Sequence, residues 1–200
     1  FCWLIGGWDT TPFHVMKMGM HLLVCLALFL IWRYLWSQPG WFPVQGFRFK
    51  LPFVSHMFTI TPDWAAFFLT VIFAIHPAGS ECVDYISATT SLQCAMFYLW
   101  AYVSYLWYRE SGHAKHLMMS LGLYFLSVAS KEEGITLMAM IFFTEVFLSP
   151  RVSRGFFATA FETALASLRK AVPHIALGCL LAVWIVLMHS HEGDESRGFV

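Results

Sequence analysis

Charged side chains are scarce in this 200-residue chain: Lys, Arg, Asp and Glu together make up 12% of it. Soluble domains carry about 25%, so water is a poor solvent for most of this surface. The formal net charge is zero, which excludes the broad basic field that draws nucleic acid. No CxxC pair or Cys/His spacing suggests a zinc site, and no metal is expected. Internal repeats and low-complexity tracts are missing too. Cys25, Cys94 and Cys179 lie inside apolar runs, where a thiol behaves as a small hydrophobe.

What is present is apolar and aromatic. Hydrophobic residues make up 58% of the chain, with nine Trp and twenty Phe, and the mean hydropathy is +0.64. That composition suits contact with lipid and its interfaces. The chain opens on Phe1 without signal architecture and closes without a turn signal, which predicts a piece of a longer protein.

A spanning helix needs about 20 apolar residues. The clearest runs are residues 18–36, 92–108 and 172–188, with shorter ones at 64–75, 117–130 and 134–148. These predict an all-α, polytopic transmembrane bundle of about six helices, with residues 1–200 as a single membrane-embedded region. The short runs either borrow flanking residues or turn back inside a protein-lined cavity. Between Ser37 and Thr61 come Pro39, Gly40, Pro43, Gly46 and Pro52 among aromatics, predicting an interfacial loop. Thr61-Pro62-Asp63 is a helix start, with Pro early and an acid near the positive end of the dipole. Ser149-Pro150 closes the fifth helix.

Charge orients the bundle. If residues 149–171 face the cytosol and every helix crosses once, nine cations are cytosolic: Arg33, Arg48, Lys50, Arg109, Lys115, Arg151, Arg154, Arg169 and Lys170. Only Lys17, Lys131 and Arg197 face the other way, as the positive-inside rule prefers. Most acids, including Asp9, Glu81, Asp84, Glu132 and Glu133, then lie on the extracytoplasmic side. Cys2 and Cys82 share that oxidising side, where a disulfide between them is compatible with the topology.

Three segments deliver polar groups to that side. His14, Lys17 and His21 are spaced i, i+3, i+7, and so share one helical face. His76 precedes Pro77, which breaks the helix and sets the imidazole at its end; Glu81 and Asp84 follow. Lys131-Glu132-Glu133 forms a charged corner between two apolar runs. Ionisable groups at membrane depth are costly, and tend to line cavities or pair with one another. Blander readings stand beside this one: a solvated hairpin turn for Lys131-Glu132-Glu133, a snorkelling Lys17, a wet loop for Glu81 and Asp84, and a packed, hydrogen-bonded His21.

The same segments resemble the membrane portion of the transmembrane and tetratricopeptide-repeat O-mannosyltransferases and their bacterial relatives, membrane glycosyltransferases of the GT-C fold. Phe13-His14 and His21 match the pattern near the family's first helix. His76-Pro77, Glu81 and Val83 match the second motif, with Ile86 and Phe97-Tyr98-Leu99 in register. Ser130-Lys131-Glu132-Glu133-Gly134-Ile135-Thr136 matches the third. The match runs over about residues 13–149. Departures are Lys17 where the family has Asn, Thr89 where it has Arg, and the 37–61 insertion.

The resemblance implies transfer of a sugar from a polyprenyl-phosphate carrier to a protein Ser or Thr hydroxyl. It implies His14, His76 and Lys131 as substrate-binding residues, joined by Lys17 as a positive charge in place of the Arg missing at Thr89, and Glu81 and Glu132 as candidate catalytic carboxylates. Orienting roles, such as a Glu132–Lys131 pair or a Glu81–His76 bond, are the expected use of those acids. Family members carry the catalytic acid upstream and a repeat domain downstream, both outside this chain. Implied partners are the bilayer, the lipid-linked sugar donor and a protein acceptor, with no separate cofactor and no nucleic acid. The implied location is multi-pass in the endoplasmic reticulum membrane of a eukaryote or the inner membrane of a bacterium. Two alternatives remain open: a non-catalytic membrane subunit that keeps the scaffold, and a transporter, against which stands the lack of paired broken helices in an internal repeat.

Overall fold

The computed structural model describes residues 10–38, 47–50, 57–77, 88–148 and 156–195. Among the described residues are six α-helices, here numbered α1 (Thr11–Ser37), α2 (Pro62–Ile75), α3 (Thr89–Ser111), α4 (Ala114–Ser130), α5 (Leu137–Leu148) and α6 (Phe156–Glu195). A 3-10 turn, Glu132–Thr136, leads into α5. The expected 37–61 loop holds two short strands, β1 (Phe47–Lys50) and β2 (Met57–Ile60), paired antiparallel with Phe47 opposite Ile60. Proline and glycine punctuation hid them, although Phe47-Arg48-Phe49-Lys50 has the period-two alternation of a strand.

Local signals set the helix ends. Pro12 sits in the first turn of α1, where its missing N–H costs nothing. Thr61 caps α2, its hydroxyl accepting from the Trp64 amide at 3.4 Å. That helix stops at Ile75, and His76 turns extended before Pro77, as the sequence predicts. Between α3 and α4 the turn is only Gly112-His113. Gly112 adopts φ 68°, a left-handed cap that glycine reaches without a Cβ penalty.

Helix α3 is the axis of the bundle. Every residue from Ala101 to Leu106 is buried, with α1, α4 and α5 packed around it. Its long aromatics also make polar ties. Tyr102 donates to Thr144 of α5 at 2.7 Å, and Trp100 donates to the Leu23 carbonyl of α1 at 3.1 Å. The Ser120 hydroxyl of α4 donates to the Ala101 carbonyl at 2.8 Å and accepts from His174 Nε2 of α6 at 2.8 Å. These buried hydrogen bonds between helices fix helix register as well as proximity, although His174 Nδ1 itself has no partner among the described residues.

Among the described residues two segments are long and apolar enough to cross a membrane: Thr11–Ser37 and Ser167–Leu187. The 92–108 run, expected as a third, falls short because Gln93, Ser104 and four tyrosines dilute it. It is the central helix and faces protein. The outer faces carry exposed Leu22, Phe67, Phe68, Ile72, Phe147, Val183 and Val186. So continuous an apolar exterior marks a surface made for something other than water. Together these features support a membrane location.

Gly134 fixes the turn before α5. A Cβ there would lie 2.8 Å from the Ser127 carbonyl carbon and 2.9 Å from the Val128 nitrogen. Those are α4 backbone atoms that cannot rotate away. Gly134→Ala is therefore expected to destabilise the fold by about 1–3 kcal/mol, read as a lower thermal midpoint in detergent. Gly178→Ala meets only the ends of the Tyr124 and Met138 side chains and should cost less; a reversed order would refute this account.

Candidate functional site

A groove of about 560 Å³ opens between α1, α2 and α3. Along its length the walls are apolar: Val24, Leu28 and Trp32 from α1, Leu69, Ile72 and Phe73 from α2, Leu92 and Ala95 from α3. At one end they turn polar, with His21, His76 and Ser91. The helix ends dictate this arrangement. His21 lies about three turns into α1, His76 at the stop of α2, and Ser91 in the first turn of α3, and all three line the groove.

His21 is tied to the α2 wall. Its Nε2 lies 3.3 Å from the Ala74 carbonyl, where the ring N–H donates, and its ring stacks 6.0 Å from Phe73. The packed, hydrogen-bonded reading of His21 and its place at the groove are thus both met.

Lys131 reaches the same end from α4. Its Nζ donates to Ser91 Oγ at 3.2 Å and forms an ion pair with Glu133 Oε1 at 3.0 Å. The corner is held by its backbone as well. Lys131 N–H donates to the Ser127 carbonyl at 3.0 Å, and the Cys94 thiol donates to the Lys131 carbonyl at 3.7 Å. Hydrogen bonding to Glu133 raises the pKa of the half-exposed ammonium, so it stays charged throughout the physiological range. The partner expected from sequence was Glu132. In the 3-10 turn it is the next residue, Glu133, that comes back to Lys131, while Glu132 lies exposed.

The remaining sequence candidates fall elsewhere. His14 is exposed, two helical turns beyond His21, and is not among the groove residues. Lys17 is fully buried on α1, which overturns snorkelling to the headgroups, and it too is not among the groove residues. Glu81, Asp84, Cys82 and Cys2 lie outside the described residues, and with them the Glu81–His76 bond and the Cys2–Cys82 pairing. No cluster of His, Cys, Asp and Glu fit to hold a metal occurs among the described residues.

Two participants escaped the sequence reading. Ser91 precedes the apolar run of α3, and nothing in a lone serine signals its partner forty residues on. Glu145 sits inside the apolar run of α5, where hydropathy averaging hides it. At the opposite end of the bundle this carboxylate is completely buried, yet it accepts from Arg109 Nε at 2.7 Å, Tyr105 at 3.0 Å and Lys170 at 3.1 Å. Arg33 pairs with Asp63 at 2.8 Å at that same end. Arg33, Arg109 and Lys170 thus gather opposite Lys131, the separation that charge counting assigns to the two membrane faces.

No family model matches the chain, and no solved structure matches it. Over 146 residues it is 25% identical to the mouse protein O-mannosyl-transferase TMTC4, and over 145 residues 26% identical to the human one. Each alignment covers 69% of this chain and 18% of the relative. The chain therefore spans less than a fifth of the length of these curated relatives, and it stands as a distant relation of that broad family.

Proposed function

We propose that this segment forms the donor-binding part of a membrane glycosyltransferase. In this reading a sugar passes from a polyprenyl-phosphate carrier to a protein Ser or Thr hydroxyl on the extracytoplasmic side. The observation that carries the reading is the α1–α2–α3 groove, apolar along its length and polar at the end where Lys131 is held. A prenyl tail needs an apolar channel; its phosphate needs a cation at the surface level. The distant similarity to O-mannosyl-transferases points the same way.

The chemistry follows from charge. The acceptor oxygen attacks the anomeric carbon, the bond from that carbon to the phosphate oxygen breaks, and the carrier phosphate leaves with the electron pair. The Lys131 ammonium stabilises that growing negative charge. A carboxylate takes the acceptor proton; Glu81 and Glu132 occupy family positions, and an upstream acid of the longer protein is the stronger candidate. His76 and His21 order the polar end, while His14 is assigned to substrate binding on the family pattern alone and Lys17 as a cation that replaces the one lost at Thr89.

The test uses the full-length protein with labelled polyprenyl-phosphate sugars and a Ser/Thr-rich acceptor. Label should reach the acceptor, and Glu81→Gln should abolish transfer while leaving the fold intact. Thr89, standing where the family has Arg, favours the second reading, a non-catalytic subunit that keeps the scaffold. Carrier binding without any transfer would establish that alternative.

A further inference from the structure

Lys131 is pulled two ways. Glu133, 69% exposed, draws the ammonium toward solvent at 3.0 Å. Ser91, a groove residue, holds it from the other side at 3.2 Å. An ammonium on a four-carbon stem has many rotamers, and an exposed ion pair holds it only weakly. Lys131 is not itself among the groove residues, and its bond to Ser91 is the contact that ties the ammonium to the groove.

The first turns of α3 supply that contact and brace the residue behind it. Cys94, one turn after Ser91, bonds the Lys131 carbonyl and lies 3.4 Å from Ser127, whose own carbonyl receives the Lys131 N–H. The main chain at residue 131 is therefore fixed relative to α3. That leaves the side-chain direction as the one freedom for Ser91 to settle.

We propose that Ser91 is a positioning residue, accepting a hydrogen bond from Lys131 so that the ammonium faces the phosphate end of the α1–α2–α3 groove. This deepens the donor-site reading above and rests on it. Because the serine acts through the lysine, its removal should weaken recognition of the phosphate and leave recognition of the tail alone.

The experiment measures binding of polyprenyl phosphate and of polyprenol of equal length to the full-length protein in nanodiscs. The quantity read is the phosphate preference, the ratio of the two dissociation constants. In Ser91→Ala this ratio should fall about three- to tenfold, with polyprenol affinity unchanged, while Ser91→Thr should retain it. Lys131→Met should abolish the preference, and Ser91→Ala added to Lys131→Met should cause no further loss. The proposal is overturned if Ser91→Ala keeps the wild-type ratio while Lys131→Met loses it. It is equally overturned if Ser91→Ala weakens polyprenol as much as the phosphate, or if the double variant falls below Lys131→Met alone. A wild-type protein that binds both lipids equally would refute the donor-site reading itself, and the positioning role with it.

Discussion

Glu145→Ala is expected to be the most destabilising single change in the described bundle, by about 3–5 kcal/mol, the cost of breaking a buried ion pair from one side. The carboxylate is completely buried and accepts from Arg109, Tyr105 and Lys170. Arg109 in turn donates to the Tyr34 hydroxyl at 3.1 Å and the Leu148 carbonyl at 3.0 Å. One acid thus organises contacts among α1, α3, α5 and α6. Removing it strands a guanidinium that is only 17% exposed.

The arrangement makes graded predictions. Lys170, 57% exposed, can turn to solvent, so Lys170→Met should cost no more than about 1 kcal/mol. Arg109→Met takes from Glu145 the more buried of its two cations and should cost nearly as much as Glu145→Ala. The double variant Glu145→Ala, Arg109→Met should be less destabilised than the sum of its parts, because neither charge is then left unpaired. Thermal unfolding of the four variants in one detergent measures this directly. A Glu145→Ala midpoint indistinguishable from wild type would show that the buried cluster does not hold the helices together.

The largest effect on activity is expected at Lys131. Lys131→Met should lower sugar transfer about 10²- to 10³-fold, the cost of losing one preorganised charge from a transition state. Stability should hardly move, since the side chain is half-exposed and its ion pair lies at the surface. Lys131→Arg keeps the charge but changes the geometry and should recover part of the rate. The pH dependence carries a sign. Glu133 raises the lysine pKa above its ordinary value of about 10.4, so the protonated form persists through neutral and mildly alkaline buffers. Any loss of rate between pH 7 and 9 then belongs to another group. An alkaline limb in that range that vanished in Lys131→Arg would contradict this. Transfer by Lys131→Met at the wild-type rate would remove the lysine from the mechanism.

Helix order and the placing of His76 and Lys131 at one end were legible because they depend on local chemistry. Apolar runs, a proline after His76 and a capping Thr61 act within a few residues of themselves. The ends of α1 and α6 were less legible. Thr11–Lys17 and Phe156–Lys170 are helical but polar or amphipathic, so hydropathy shortens both helices; Pro173 lies within α6. What could not be read at all were pairings across long separations. Ser91 with Lys131, Ser120 with His174 and Glu145 with Arg109 arise only when helices dock, and no periodicity encodes them.

Among the described residues of α2 only Ala66 is buried, and the helix runs just fourteen residues, about 21 Å. Its attachment depends on α1, with a solvent-facing Arg33–Asp63 bridge at one end and the His21–Ala74 contact at the other. A wall so lightly fastened is expected to open at less cost than the α3-centred core. On the donor-site reading proposed above, such an opening would admit a long-chain carrier from the lipid phase, and amide exchange along residues 62–75 should outpace that of residues 101–106.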